Sequence, residues 1–228
     1  MPWAKDHKTK QKLIRQALDL FYKNGFENTS IEAIVKQAGL SKGAFFHYFG
    51  SKQALLEAIA EKYTDEIFRI MRKIADQPGL DAAEKFNKII VQGKRHKITH
   101  SREYKKVGLI LYDHRNIRFQ HQILDRMTEK TIPPIEQIIR QGVKEGVFEV
   151  EYAEETADAF VRFLFMMREP LMKLMKSDIK ADDFAQIIER KIRFFENIMN
   201  RILGAKPGTV KLPKINKTLI KLVKVFVK

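Results

Sequence analysis

The chain has 228 residues, with 43 Lys/Arg against 28 Asp/Glu, a formal charge of +15 and no cysteine. Its 44% hydrophobic and 31% charged composition is that of a globular protein and excludes collagen-like and disordered classes. Without thiols there is no disulfide framework, thiolate metal site or cysteine nucleophile. No charge-free apolar run approaches the ~18 residues of a membrane span. Met1-Pro2-Trp3-Ala4-Lys5-Asp6 lacks the apolar core of a secretion signal. The expected compartment is therefore the cytoplasm, and the Asn-x-Ser/Thr matches at Asn28 and Asn216 are expected to be accidental.

Charge is distributed unevenly. Residues 1–52 hold 9 basic and 4 acidic side chains, residues 53–204 hold 27 and 24, and the last 24 residues hold 7 Lys and no acid. A balanced middle between basic ends is an electrostatic footprint for a polyanion, either nucleic acid or an anionic membrane surface. Excess Lys that only aids solubility is the plainer reading.

In chain order the periodicity is helical almost throughout. Ile14, Ala17, Leu18, Phe21 and Tyr22 line one face, and Gly25 offers a left-handed stop. Thr29 and Glu32 have capping-box spacing ahead of Ile31, Ile34, Val35 and Ala38, a helix that Gly39 ends after barely two turns. Ser41 can cap a third helix, with Phe45 and Phe49 turned inward. A long helix follows from about Lys52 to Asp76, closed by Gln77-Pro78-Gly79. Asp81 and Glu84 repeat the capping-box spacing and open a helix to about His100; a shorter helix covers roughly 102–113. Another starts at Ile117 and ends near Gly142 or Gly146, with Pro133-Pro134 expected to bend or interrupt it. Two strongly amphipathic helices, about 153–175 and 181–204, come last. No segment reads as a strand. The expected fold is all-α, of about nine helices.

Three helices in some 40 residues, with a tight Gly turn before the third, make a helix-turn-helix pattern whose last helix would enter a major groove. Gly43 removes a side chain near the start of that helix and opens its backbone to phosphate. Lys42 and Lys52 flank the helix as phosphate-positioning cations. His47 and Tyr48 bring hydrogen-bonding tips, and Ala44 suits a thymine methyl. Thr29 reads first as a helix cap, at the same N-terminus that a phosphate would approach.

The run Thr29-Ser30-Ile31-Glu32-Ala33-Ile34-Val35-Lys36-Gln37-Ala38-Gly39-Leu40-Ser41-Lys42-Gly43, followed by Ala44-Phe45-Phe46-His47-Tyr48-Phe49-Gly50-Ser51-Lys52, resembles the DNA-binding signature of the tetracycline-repressor (TetR) family. The close match covers about residues 8–60. The family pattern is Thr, then Ile-Ala-x-x-Ala-Gly-Val-Ser-x-Gly, then Tyr-x-His-Phe-x-x-Lys. Val35 stands where Ala is usual. Phe46 stands where a Tyr hydroxyl commonly reaches phosphate, so that bond is lost here, and Tyr48 sits where His is frequent.

The resemblance implies a homodimeric transcription regulator, usually a repressor, reading a palindromic operator and released when a small effector binds the larger C-terminal domain. It places Thr29, Ser41, Lys42, Gly43, Ala44, Phe46, His47, Tyr48 and Lys52 at the DNA. It also divides the chain into a DNA-binding domain (1–52), a ligand-binding and dimerisation domain (53–204) and a basic tail (205–228). The helix from Lys52 to about Asp76, roughly 35–40 Å long at 1.5 Å per residue, is the expected lever between the first two.

For a mainly apolar effector the candidate lining is Phe86, Ile89, Tyr104, Leu111, Tyr112, Phe119, Ile123, Met127, Phe163, Met166 and Met167, with Arg168 as polar anchor; core packing is the default alternative. The final helix pair has a wide apolar surface that contacts with its own chain could account for; the resemblance instead makes it the dimer face, with Phe160, Leu164, Leu171, Ile188, Phe195, Ile198, Met199 and Ile202. Neither a Walker loop, a dinucleotide fingerprint, a nucleophile elbow nor a zinc-hydrolase motif occurs, so neither an enzyme nor a cofactor is expected.

Two rival readings remain. His96 and His100 are four apart on one helix face, with His114 and His121 nearby, a spacing open to a metal sensor. Lys94, Arg95, Lys97 and Arg102 crowd that pair with positive charge. Lys217, Lys221, Lys224 and Lys228 form one stripe of the tail, which suits a membrane-associated adaptor resting on an anionic surface without insertion. Packing of the tail on its own protein is the favoured expectation, with a tail that orders only on DNA, or a valine-rich strand, as the alternatives.

Overall fold

The computed structural model describes residues 2–99, 117–167, 174 and 181–213. Among these there are eight helices and no strand: α1 (Pro2–Asn24), α2 (Ile31–Ala38), α3 (Lys42–Tyr48), α4 (Lys52–Ala75), α5 (Ala82–Thr99), α6 (Ile117–Lys144), α7 (Ala153–Met166) and α8 (Ala181–Ile202). The chain divides into two compact units, Met1–Glu66 with Arg102–Ile123 and Ile67–Ser101 with Leu124–Lys228. The helix expected over 102–113 lies outside the described residues, as does the stretch after Met167 that was expected to prolong α7.

In the first unit, α1 packs on α2 and α2 on α3. The buried side chains are those the helical period selects: Leu13, Ile14, Ala17, Leu18 and Phe21 from α1, Ile34, Val35 and Ala38 from α2, and Phe45 from α3. Leu55, Leu56 and Ile59 of α4 are buried as well, so the unit's core extends past the third helix. Gly39 adopts φ 61°, and the N–H groups of Gly39 and Leu40 donate to the Lys36 and Val35 carbonyls, a Schellman stop to α2. The cap at the other end differs from expectation by one residue. Ser30 accepts from the Ala33 N–H at 3.1 Å, whereas Thr29 is buried and donates its hydroxyl proton to the Gly25 carbonyl at 2.7 Å. Spacing alone favoured Thr29 with Glu32, but Thr29 is drawn inward beneath the end of α1 and leaves the capping to its neighbour.

The second unit has an apolar centre built around Phe86, whose ring meets Phe148 at 5.5 Å and Phe160 at 5.3 Å, both edge-on. Ile135, Ile138, Ile139, Ala157, Val161, Met199 and Leu203 complete it. The capping box at the start of α5 forms as expected: Asp81 N–H donates to Glu84 Oε2 at 2.9 Å and Glu84 N–H to Asp81 Oδ1 at 2.7 Å. Pro133 and Pro134 do not interrupt α6, which runs on to Lys144. Two buried threonines, Thr128 and Thr131, donate to the Leu124 and Met127 carbonyls in the turns just before the prolines.

Other buried polar groups of this unit tie separate elements together. Lys85 is 6% exposed; its Nζ donates to the Ala75 carbonyl at the end of α4 and to Gln141 Oε1, both at 2.7 Å. Asn200 reaches the segment after α8, donating to the Val210 carbonyl and accepting from its N–H at 2.9 Å each. Asn87 does the same one residue to either side, donating to the Thr209 carbonyl and accepting from the Lys211 N–H. The first part of the tail, to residue 213, is thereby held on its own unit, with Val210 fully buried. The lysine stripe beyond it lies outside the described residues.

Close packing sets the glycine at position 142. A Cβ on Gly142 would stand 2.1 Å from Phe148 Cδ2, whereas one on Gly93 meets nothing within 4 Å. Gly142→Ala is therefore expected to cost about 1–3 kcal/mol by overpacking, and Gly93→Ala to add about 0.5–1 kcal/mol through reduced chain entropy. Urea unfolding of the two variants checks this; equal midpoints would contradict the packing.

Candidate nucleic-acid interface

At seven residues α3 is too short to be stable by itself, so its place is set from outside. Ser41 caps it, accepting from the Ala44 N–H at 3.1 Å. Phe45 is fully buried, and Phe49, buried just past the C-terminus, lies 5.9 Å from it ring to ring. Lys10 of α1 adds a cation 5.7 Å from the Phe49 ring centroid. With Phe45 and Phe49 turned in, the remaining positions face outward. Ser41, Lys42, Gly43, Phe46 and His47 are exposed, while Ala44 and Tyr48 are half-buried. His47 lies edge-on to Tyr48 at 4.8 Å.

Nothing in the fold calls for glycine at position 43. Its φ is unremarkable for any residue, and an added Cβ would come no nearer than 3.8 Å to Ser41 Oγ. The bare backbone there is open to solvent, as close approach by an external group requires.

Two of the sequence-derived contacts are corrected. Thr29 is buried with its hydroxyl bonded to the Gly25 carbonyl, so it offers nothing to a phosphate. Lys52 is half-buried and turned back on its own unit: Nζ donates to the Phe26 carbonyl at 2.7 Å and the Glu27 carbonyl at 3.3 Å and stands 4.3 Å from the Phe26 ring centroid. A long flexible side chain with three donors is readily drawn to carbonyls of the loop after α1, which residue spacing does not reveal.

Lys42 remains outward but is already partnered. Its Nζ donates to Glu32 Oε1 at 2.6 Å, with both side chains more than half exposed. That hydrogen bond holds the Glu32 carboxyl below its ordinary range. Because folding lowers the pKa, the pair is present above the usual carboxylate range and is lost as pH falls through the lowered value. At neutral pH the carboxylate competes with any phosphate for Lys42. Sequence reading missed this partner, since only the α2–α3 turn brings residues ten apart together.

The other expected sites are scattered. Phe86 is consumed by ring packing in the core, and Met127 and Met167 are buried. Ile89 and Phe163 are half-buried against the core, whereas Met166 is 66% exposed and lines no interior. Tyr104, Leu111, Tyr112, Arg168 and Leu171 lie outside the described residues, as do the side chains of Phe119 and Ile123. On the expected dimer face, Phe160 and Met199 belong to the second unit's own core, at 1% exposure each, so neither can meet a partner. Ile188 and Phe195 are buried, and Leu164, Ile198 and Ile202 are half-buried. Instead Met166 of α7 and Phe194 of α8 stand exposed; Phe194 is off the periodic stripe that guided the expectation. His100 and His114 lie outside the described residues. Among those described, no three His, Asp or Glu are grouped to hold a metal, and no helix is long and apolar enough to cross a membrane.

The model of the family "Bacterial regulatory proteins, tetR family" matches residues 13–59, which run from Leu13 in α1 to Ile59 in α4. This segment is thus similar to the tetR-type domain. The tetR-type segment is similar to the uncharacterized HTH-type transcriptional regulator YuxN of Bacillus subtilis (strain 168), at 47% identity over 62 residues, 27% of this chain and 21% of that protein. It is also similar to the HTH-type transcriptional regulator UidR of Escherichia coli (strain K12), at 39% over 51 residues, 22% of this chain and 26% of that one. The matches thus span about a quarter or less of these relatives' length. Over a longer span the fold resembles SmeT in its triclosan complex (TM-score 0.66, 15% identity, 92% of this chain and 98% of that one). It also resembles the flavonoid-responsive regulator FrrA (TM-score 0.57, 26% identity, 84% and 97%).

Removing the competing carboxylate should release Lys42. Glu32→Gln is expected to tighten binding to duplex DNA about two- to fivefold at low salt, the scale of an exposed ion pair. Fluorescence anisotropy reads this, and unchanged or weaker binding would show that Glu32 does not restrain Lys42.

Proposed function

We propose that the protein is a homodimeric, ligand-responsive transcription regulator that represses by binding a palindromic operator. The observation that carries this reading is the outward face of α3, where Lys42, Gly43, Phe46 and His47 are exposed on a helix fixed from behind by Phe45 and Phe49. The tetR-type match over residues 13–59 and the excess of basic residues in 1–52 support it. Two such helices, one per protomer, would enter successive major grooves with half-site centres about 34–36 Å apart. Lys42 would contact phosphate and set register, and His47 with Ala44 and Tyr48 would face base edges.

Dimerisation is proposed through α7 and α8, where Met166 and Phe194 are large apolar side chains left exposed for a partner to cover. The effector we propose is small and mainly apolar. The naming of FrrA as flavonoid-responsive, at 26% identity, supports an aromatic class. Its action would be a population shift: binding better to the conformer whose recognition helices are wrongly spaced, it would weaken operator binding by that difference in affinity. A cytoplasmic location follows from the proposed partner.

The deciding experiment selects duplexes from a random pool with the full chain and compares the chosen sequence with a scrambled one. Preference for a palindrome is expected, and equal affinity would refute the reading. Lys42→Ala should weaken binding to all sequences alike and lower the salt slope by about one per phosphate contact removed. Phe194→Glu should yield monomers in sedimentation and lose the palindrome preference while remaining folded. A variant that stays dimeric would place the interface elsewhere.

A further inference from the structure

Phe46 is 48% exposed on the flank of α3, beside the buried Phe45. Its ring is not loose: it sits edge-on to Phe45, 5.4 Å between centroids at 84°, and Phe45 is itself fully buried. The exposed ring is therefore held in place before any partner arrives. One helical turn earlier on the same face is Gly43, which bears no side chain. The ring thus projects beyond the bare backbone on its N-terminal side.

A phenyl ring neither donates nor accepts a conventional hydrogen bond, so a phosphate or a polar base edge gives it nothing in return for lost water. It gains only by covering apolar surface. In the major groove the base edges offer one such group, the C5-methyl of thymine. Resting on the DNA-binding reading above, we infer that Phe46 is a specificity-determining residue that reads one thymine methyl in each half-site. The ring then contributes sequence selectivity rather than phosphate anchoring, and the neighbouring Lys42 supplies the sequence-independent contact.

The test uses the full chain and the duplex it selects from a random pool. Each thymine is replaced in turn by deoxyuridine, which removes the methyl and preserves base pairing. At one thymine per half-site, wild type is expected to lose about fourfold in affinity, and about sixteenfold when both half-sites are changed, the scale of one buried methyl each. Phe46→Ala should bind the two forms alike, and Phe46→Tyr, which keeps the ring, should retain the preference. Helical content by circular dichroism and the palindrome preference itself verify that both variants remain folded and bound. Indifference of wild type to deoxyuridine at every position would overturn the inference, as would an undiminished methyl preference in Phe46→Ala; either result leaves the regulator reading standing. Failure of wild type to select any sequence would instead defeat both.

Discussion

The burial of Phe45 and Phe49 is the interaction on which the candidate interface depends. A seven-residue helix gains too few backbone hydrogen bonds to offset the ordering of its chain. The two rings, packed 5.9 Å apart inside the first unit, supply the missing stabilisation and also fix the helix's rotation about its axis. With that rotation set, Lys42, Gly43, Phe46 and His47 are left exposed around the rest of the helix. Ser41 at one end and Gly39 before it settle where the helix starts, leaving little freedom in what it presents.

The second unit is organised differently, with buried polar side chains at its joints. Lys85 satisfies a carbonyl at the end of α4, where a cation also complements the helix dipole. Asn87 and Asn200 each use both a donor and an acceptor on the chain that follows α8. An asparagine that satisfies a neighbouring peptide in both directions leaves no buried group unpaired, so these contacts specify position at little desolvation cost. Gly142 and Phe148 perform the apolar counterpart, a ring seated where any side chain would collide.

Much of this was legible in the linear chain because helical periodicity and caps are local. The first four helices, the Gly25 and Gly39 stops, the Ser41 cap and the Asp81–Glu84 box all appear where the residues indicate. Errors arose where a distant neighbour decided between local choices. Thr29 and Ser30 are both competent caps, and burial took Thr29 out of contention. Lys42 and Lys52 looked alike as flanking cations, yet one meets Glu32 at the surface and the other folds back on Phe26. Phe160 and Met199 lie on the apolar stripes of their helices, but a stripe cannot say whether it faces its own chain or another.

The sequence alone determined an all-α fold and a helix-turn-helix pattern at its start, because both follow from spacing within a few turns, while the tetR type came from the resemblance of that run to a family signature. Only the tertiary structure decided which cation points outward, which carboxylate restrains it, and which aromatic rings are consumed by the core. Those outcomes depend on packing between residues ten to more than a hundred positions apart, such as Lys42 with Glu32 and Asn87 with Thr209, where side-chain type states what a residue can bond but not what it will meet.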